Sequence, residues 1–241
     1  MQRFSVSAAG LAIASIALAG PTIYDFDDLA NGEIVGGQYA PDLNISGTNF
    51  NRSFDIIAAF DTRLTNTADP DLEGPNWAIG NLSVSNTDLG NVLIIAENNA
   101  GATSGFLSSP DDEGQRPGGQ IVFSFGSAIG SFGFDLVDIE HVTLGNTILN
   151  FSLQGVSVGS VALSAFTDAN SSLYDASIAF GDNSANRFRP ITSAYLGGVF
   201  DEVTLTLGGS GAIDNIVVPT PGALATISLV GLAATGRARR R

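Results

Sequence analysis

The sequence predicts an all-β fold: a two-sheet antiparallel β-sandwich (jelly roll), with an N-terminal signal helix and a short C-terminal hydrophobic helix outside it. Three observations carry this. Short segments rich in β-branched and aromatic residues recur along the chain. Several of them alternate with period two, so that Ile121, Phe123 and Phe125 fall on one side of a strand and Val122, Ser124 and Gly126 on the other. Turn residues separate them at short intervals, with 29 glycines in 241 residues, and no window keeps a helical period. About ten such strands argue a sandwich or jelly roll.

The elements follow in order. Residues 1–19 read as a signal peptide, with a charged Met-Gln-Arg start, an apolar run from Phe4 to Ala19, and "ALAG" as a small-x-small cleavage site after Ala19. Residues 20–217 form the sandwich, which opens with "TIYDFDDLANGEIVGGQYA". The strands expected next are "SFDIIAAF", "WAIGNLSVS", "NVLIIAE", "QIVFSF", "GSFGFDLVDI", "TILNFSLQ", "VSVGSVAL" and "DEVTLTL", and "AIDNIVV" closes the body. Residues 218–241 are a tail: Val218, Pro219, Thr220 and Pro221, then an uncharged run from Gly222 to Gly236, then Arg237, Arg239, Arg240 and Arg241. As a helix the run would be ~22 Å long, short of a ~30 Å hydrocarbon core. The prolines mark an extended, accessible segment before it.

Composition excludes several functions. The chain has no cysteine, which removes disulfides, thiolate metal sites and a cysteine nucleophile. It has no lysine, and half of its ten arginines lie in the terminal segments. All 24 acidic residues lie between Asp25 and Asp214, so the body sets five arginines against them and carries about −19. Nucleic acid is therefore not an expected partner. Carboxylates in such numbers suit hard cations and a self-repelling, soluble surface.

The tail resembles the PEP-CTERM sorting signal of exported bacterial proteins: a short proline motif, an apolar helix and a terminal arginine cluster in that order. "VPTP" stands where that family has "VPEP", so Thr220 departs from the pattern. The resemblance implies processing by an exosortase, after signal peptidase has acted at the other end. It also implies transient inner-membrane association and delivery to the cell surface or extracellular matrix, where association with exopolysaccharide is expected. The opening and closing strands resemble those of jelly-roll domains in exported proteins, carbohydrate-binding modules among them. That resemblance implies termini lying side by side around a structural Ca²⁺, with Asp25 or Asp27 and Asp214 as its side-chain ligands.

A second acidic group lies in the middle of the chain. "FDTRLTNTADPDLEGPNW" and "SSPDDEGQRPGG" flank "NVLIIAE", bringing Asp69, Asp71, Glu97, Asp111 and Asp112, with Asp61, Glu73 and Glu113 nearby. If the strands neighbour one another, these loops meet at one edge of the sandwich. The cluster then raises its own pKa values or binds a hard ion such as Ca²⁺. Separate solvated turns are the alternative.

The inventory for chemistry is thin. His141 is the one histidine, and no G-x-S-x-G motif occurs. Asp138 and Glu140, with Asp135 close by, would share a strand face at i and i+2, a spacing compatible with a glycosidase pair. Trp77 and Tyr39 are candidates for a sugar-stacking platform. The leading reading is a non-catalytic surface or matrix protein. A calcium-braced carbohydrate-binding module and a carboxylate-pair hydrolase are the alternatives.

Overall fold

Twelve strands in two antiparallel sheets face each other in a computed structural model that describes residues 20–220. The expected signal helix, the apolar helix and the arginine cluster lie outside the described residues. The strands are β1 (Thr22–Tyr24), β2 (Ile34–Val35), β3 (Leu43–Asn49), β4 (Ile57–Asp61), β5 (Asn91–Ile95), β6 (Gly119–Ile129), β7 (Ser131–Val137), β8 (Ile148–Leu153), β9 (Val156–Ala162), β10 (Ala185–Thr192), β11 (Phe200–Leu207) and β12 (Ala212–Val218). A single α-helical turn among the described residues, α1 (Ser193–Leu196), precedes β11.

One sheet runs β10-β7-β12-β5-β4-β2, with β1 also paired to β12, and the other runs β3-β6-β11-β8-β9. The chain passes repeatedly between the two sheets of this sandwich. The two ends of the body meet as expected: Thr22 pairs with Val218 and Tyr24 with Ile216. Strand β6 keeps the expected alternation. Ile121 and Phe123 are fully buried between the sheets, while Gln120, Val122 and Ser124 face outward, the alternation of a sheet with one wet face.

The core between the sheets is phenylalanine-rich. Phe188 stacks on Phe134 at 4.8 Å and meets Phe166 edge-on at 4.8 Å. Phe151 meets Phe200 at 4.9 Å. Such aromatic pairs add to the apolar area that each ring buries.

A second core lies on the other face of the larger sheet. Phe60, Val92, Ile94, Val137 and Ala212 point there, and Leu72, Trp77, Leu82, Leu89 and Leu107 come down on them from the long connections. All five residues of β5 are buried for this reason. The expected strand "WAIGNLSVS" is instead part of this cover. It forms a loop with a 3-10 turn at Ser83–Ser85, because Trp77 and Leu82 are drawn onto the sheet face and do not alternate. Strand β10 was not expected. It carries Arg187, Arg189 and Pro190, which the larger sheet tolerates only at its edge.

Phe188→Ala should destabilise the body by about 3–5 kcal/mol. Chemical denaturation would show this as a lower midpoint with an unchanged slope.

Candidate functional site

β5 and β7 end, and β10 and β12 begin, at the same end of the larger sheet. Three carboxylates converge there. Among the described residues, Asp69, Asp111 and Asp112 are the one set of three whose ligand oxygens all lie within 4.8 Å of one another. Each is positioned by local structure. Asp69 caps the turn Pro70–Leu72, its Oδ1 accepting from the Asp71 amide at 3.0 Å. Asp112 is held by a bridge to Ala96 at the end of β5, and Asp111 by its carbonyl, which accepts from the Glu97 amide at 2.9 Å.

The site continues inward from Asp112. Its Oδ2 accepts from the Gly211 amide and from Ser210 Oγ at 2.8 Å, and Ser210 Oγ is also 2.7 Å from Asp138 Oδ2. A serine hydroxyl has one hydrogen. Ser210 can therefore donate to only one of the two acids at a time, and the other bonds its oxygen only as a protonated carboxyl. Asp138 Oδ1 accepts from the Asn183 amide at 2.8 Å. Asn183 in turn donates from Nδ2 to the carbonyls of Asp71 and Glu73, tying the 62–90 connection to the start of β10.

Electrostatics follow from this crowding. Burial, then the charge of Asp69, pushes the Asp112 carboxyl well up. Burial lifts Asp138 to about 7, with Asp69 and Asp71 adding to the shift. Burial, Asp69 and Glu97 lift Asp111 to about 6. Burial and the charges of Asp69, Asp182 and Glu140 also raise Asp71. Among the described residues, no arginine answers these charges. Arg52 holds Glu97 at 2.5 Å and Glu113 at 2.8 Å. Arg63 holds Asp61 at 2.7 Å, Arg116 holds Glu140, and Arg187 holds Asp135 at 2.7 Å. Arg189 bonds the carbonyl of Tyr174. The buried trio could hold a metal ion.

The remaining candidates separate. Glu97 sits at the end of β5 as expected, but its partner is Arg52, so it is not one of the converging three. Asp71 contributes its backbone to the turn, and its side chain is exposed. Asp214 lies elsewhere, on the middle of β12, fully buried. Asn215 Nδ2 donates to its Oδ2 at 2.7 Å, while its Oδ1 has no partner among the described residues. Burial first, then the charges of Asp135, Asp27 and Asp25, push its carboxyl well up. Asp25 and Asp27 are thus on the Asp214 side of the sheet. Asp27 Oδ1 accepts from the Asn91 amide at 3.0 Å, and Asp25 Oδ1 from the Asp27 amide at 3.4 Å.

Two expectations are overturned. Trp77 is no sugar platform: it is 4% exposed, and its Nε1 donates to the Thr87 carbonyl at 2.8 Å within the second core. Tyr39 is half-buried. Its hydroxyl donates to Asp28 Oδ1 at 2.5 Å, and its ring braces Tyr24 and Phe26 edge-on. The carboxylate pair Asp138 and Glu140 does not share a strand face, because β7 stops at Val137 and Asp138 takes a left-handed φ of 56°. Asp138 turns into the buried network while Glu140 pairs with Arg116. His141 is exposed. Sequence reasoning missed Ser210, Gly211 and Asn183. The one signal was "GGSGAID", glycines placed where a backbone must come close to a buried side chain. No family model, curated protein or solved structure matches the chain.

Asp111 and Asp138 hold protons in the folded chain at pH values where the unfolded chain has lost them, from about 4 up to about 6 and 7. In the presence of EDTA, stability should therefore fall as pH rises through that window. A melt at pH 5 should exceed one at pH 8 by several degrees, roughly. With a bound cation replacing the protons, the difference should shrink.

Proposed function

We propose that this chain is a non-catalytic, exported surface or matrix protein whose β-sandwich is braced by Ca²⁺. The observation that carries the reading is the convergence of Asp69, Asp111 and Asp112, largely buried and, among the described residues, without an arginine partner. An all-oxygen, all-carboxylate set favours a hard cation over zinc. Its setting on irregular connections favours Ca²⁺, which accepts six to eight oxygens in flexible geometry, over Mg²⁺, which demands near-ideal octahedra. Bound there, the ion would tie the 62–90 and 97–118 connections together over the end of the larger sheet. That is a structural role and needs no reacting group.

Asp214 supports a second brace of the same kind. A fully buried carboxylate oxygen without a partner is costly. Asp27 or Asp25, with neighbouring carbonyls, would complete a shell where the two ends of the body meet.

The sorting route is the second part of the proposal. The VPTP motif, apolar run and arginine cluster support recognition by an exosortase-type enzyme after transient inner-membrane association. Exopolysaccharide is the proposed environment of the mature protein. The outer face of the smaller sheet suits it, with Asn44, Ser46, Thr48, Thr204, Thr206 and Asn150 turned outward.

Thermal melts of the purified chain in EDTA, in Ca²⁺ and in Mg²⁺ at equal ionic strength test the brace. Ca²⁺ at a hundredfold excess over Kd should add ~2.7 kcal/mol. Asp112→Asn should remove that gain while melting in EDTA at or above the parent temperature, since it relieves carboxylate crowding. Equal melting in all three conditions would sink the reading. For the sorting route, residues 218–241 fused to a reporter should be cleaved in an exosortase-bearing host and remain intact in a strain lacking the enzyme.

A further inference from the structure

Exposed strand edges are where a sandwich can add another chain, and proteins cover or charge them for that reason. The larger sheet ends on β10 and β2. The connection at 78–82 covers β10: the Ala185 amide donates to the Ile79 carbonyl at 2.9 Å, and the Arg187 amide to Asn81 Oδ1 at 2.8 Å. Asn81 Nδ2 donates back to the Arg187 carbonyl at 2.9 Å, and Pro190 interrupts the rest of the strand. β2 donates from the Ile34 amide to the Gly105 carbonyl at 2.9 Å. β1, beside β12, is three residues long. In the smaller sheet, β3 is covered by the segment before it: the Leu43 amide donates to Tyr39 and the Ile45 amide to Gly36, each at 3.1 Å.

β9 is different. Its seven residues pair with β8 on one side. On the other side, among the described residues, no group hydrogen-bonds Val156–Ala162. α1 supports the strand from the core side without filling this edge. Gly159 lies opposite the core residue Phe151, and a Cβ on it would come 3.1 Å from Leu196 Cδ2. Val156 is 70% exposed, and Ser157 and Ser160 are exposed too.

Charge identifies the occupant. Val142–Thr167 contains no Asp, Glu, Lys or Arg, the longest such run in a chain with 24 acidic residues and a net charge of −14. β9 sits inside that run. Two copies of so acidic a body repel one another over most of their surface. They can meet without opposing carboxylates only along a neutral seam, and a two-fold contact sets the same patch of each copy against the other.

We propose that β9 is the edge through which two copies of this chain associate. The β9 strands pair antiparallel about a two-fold axis, so the two smaller sheets become one continuous sheet. The free N–H and C=O groups supply the new ladder, and the exposed Val156 loses contact with water. The contact uses neither carboxylate site, so it stands or falls independently of the calcium brace.

Sedimentation velocity on the full chain, from low to high micromolar, tests this together with amide hydrogen exchange at both ends of that range. The mass should double with concentration, and exchange at 156–162 should slow in step. The double variant Val156→Lys/Ser160→Lys places cations along the seam at exposed positions. It should move the dimerisation midpoint roughly tenfold or more upward. At dilutions where both proteins are monomeric, its melting temperature should match the parent's. Val142→Lys, a similar change at an exposed site off the edge, should dimerise like the parent. A parent that stays monomeric overturns the proposal. So does protection appearing elsewhere, as pairing through the terminal segments would give, or a folded double variant that dimerises unchanged. If the double variant does not fold, the exchange pattern of the parent alone decides.

Discussion

The central strands of the larger sheet are buried on both faces, and much of the molecule follows from that. A sheet against one partner layer needs apolar residues on one side only. Here β5 is buried at every position and β4 at four of five. Their outward side chains must be covered, and the smaller sheet is already on the other side. The connections at 62–90 and 97–118 supply the cover, placing Leu72, Trp77, Leu82, Leu89 and Leu107 on Phe60, Val92 and Ile94. These connections are loops by composition, yet they fold as a third layer because the sheet beneath them cannot face water.

The acidic site is a consequence of that layer. Asp69 and Asp112 are carried inward by the residues around them, which anchor the connections to the ends of β5 and β12. Burial makes ionisation expensive, and neighbouring carboxylates make it more so. The arginines of the body are committed to other partners, so the trio's compensation must come from protons or from a bound cation. Asp214 presents the same problem by a different route. It is in the middle of a central strand, where its free oxygen is shut off from the protein surface. The chain thus concentrates its electrostatic cost at two buried places and leaves a third region, the β8–β9 hairpin, without any charge.

How far this was readable depended on whether the responsible pattern is local. β6, β11 and β12 alternate or run apolar as strands in sequence, and they are strands in the structure. "WAIGNLSVS" has the composition of a strand and is not one, since its Trp and Leu answer to a sheet face that lies far away in sequence. β10 carries two arginines and a proline and is a strand all the same, because an edge position leaves one side of it free of ladder constraints. In the central acidic group, Asp69, Asp111 and Asp112 meet. Glu97 and Asp71 do not, because Arg52 claims the first and the turn at Pro70–Leu72 points the second outward. Spacing alone does not distinguish these fates. Asp138 was legible as an acid near a strand end, but its left-handed backbone and its serine-bridged contact with Asp112 were not.

By itself the sequence determined the class of fold, the approximate number of strands and the acidity of the body. These are properties of local periodicity and composition, which a single strand or a simple count already contains. Only the tertiary structure decided which face of each strand is wet, which carboxylates share a site, where Trp77 points and which sheet edge is left bare. Those depend on contacts between residues far apart in the chain. A carboxylate's partner, a ring's neighbours and an edge's cover are set by where two separate segments cross, and no local pattern encodes the crossing.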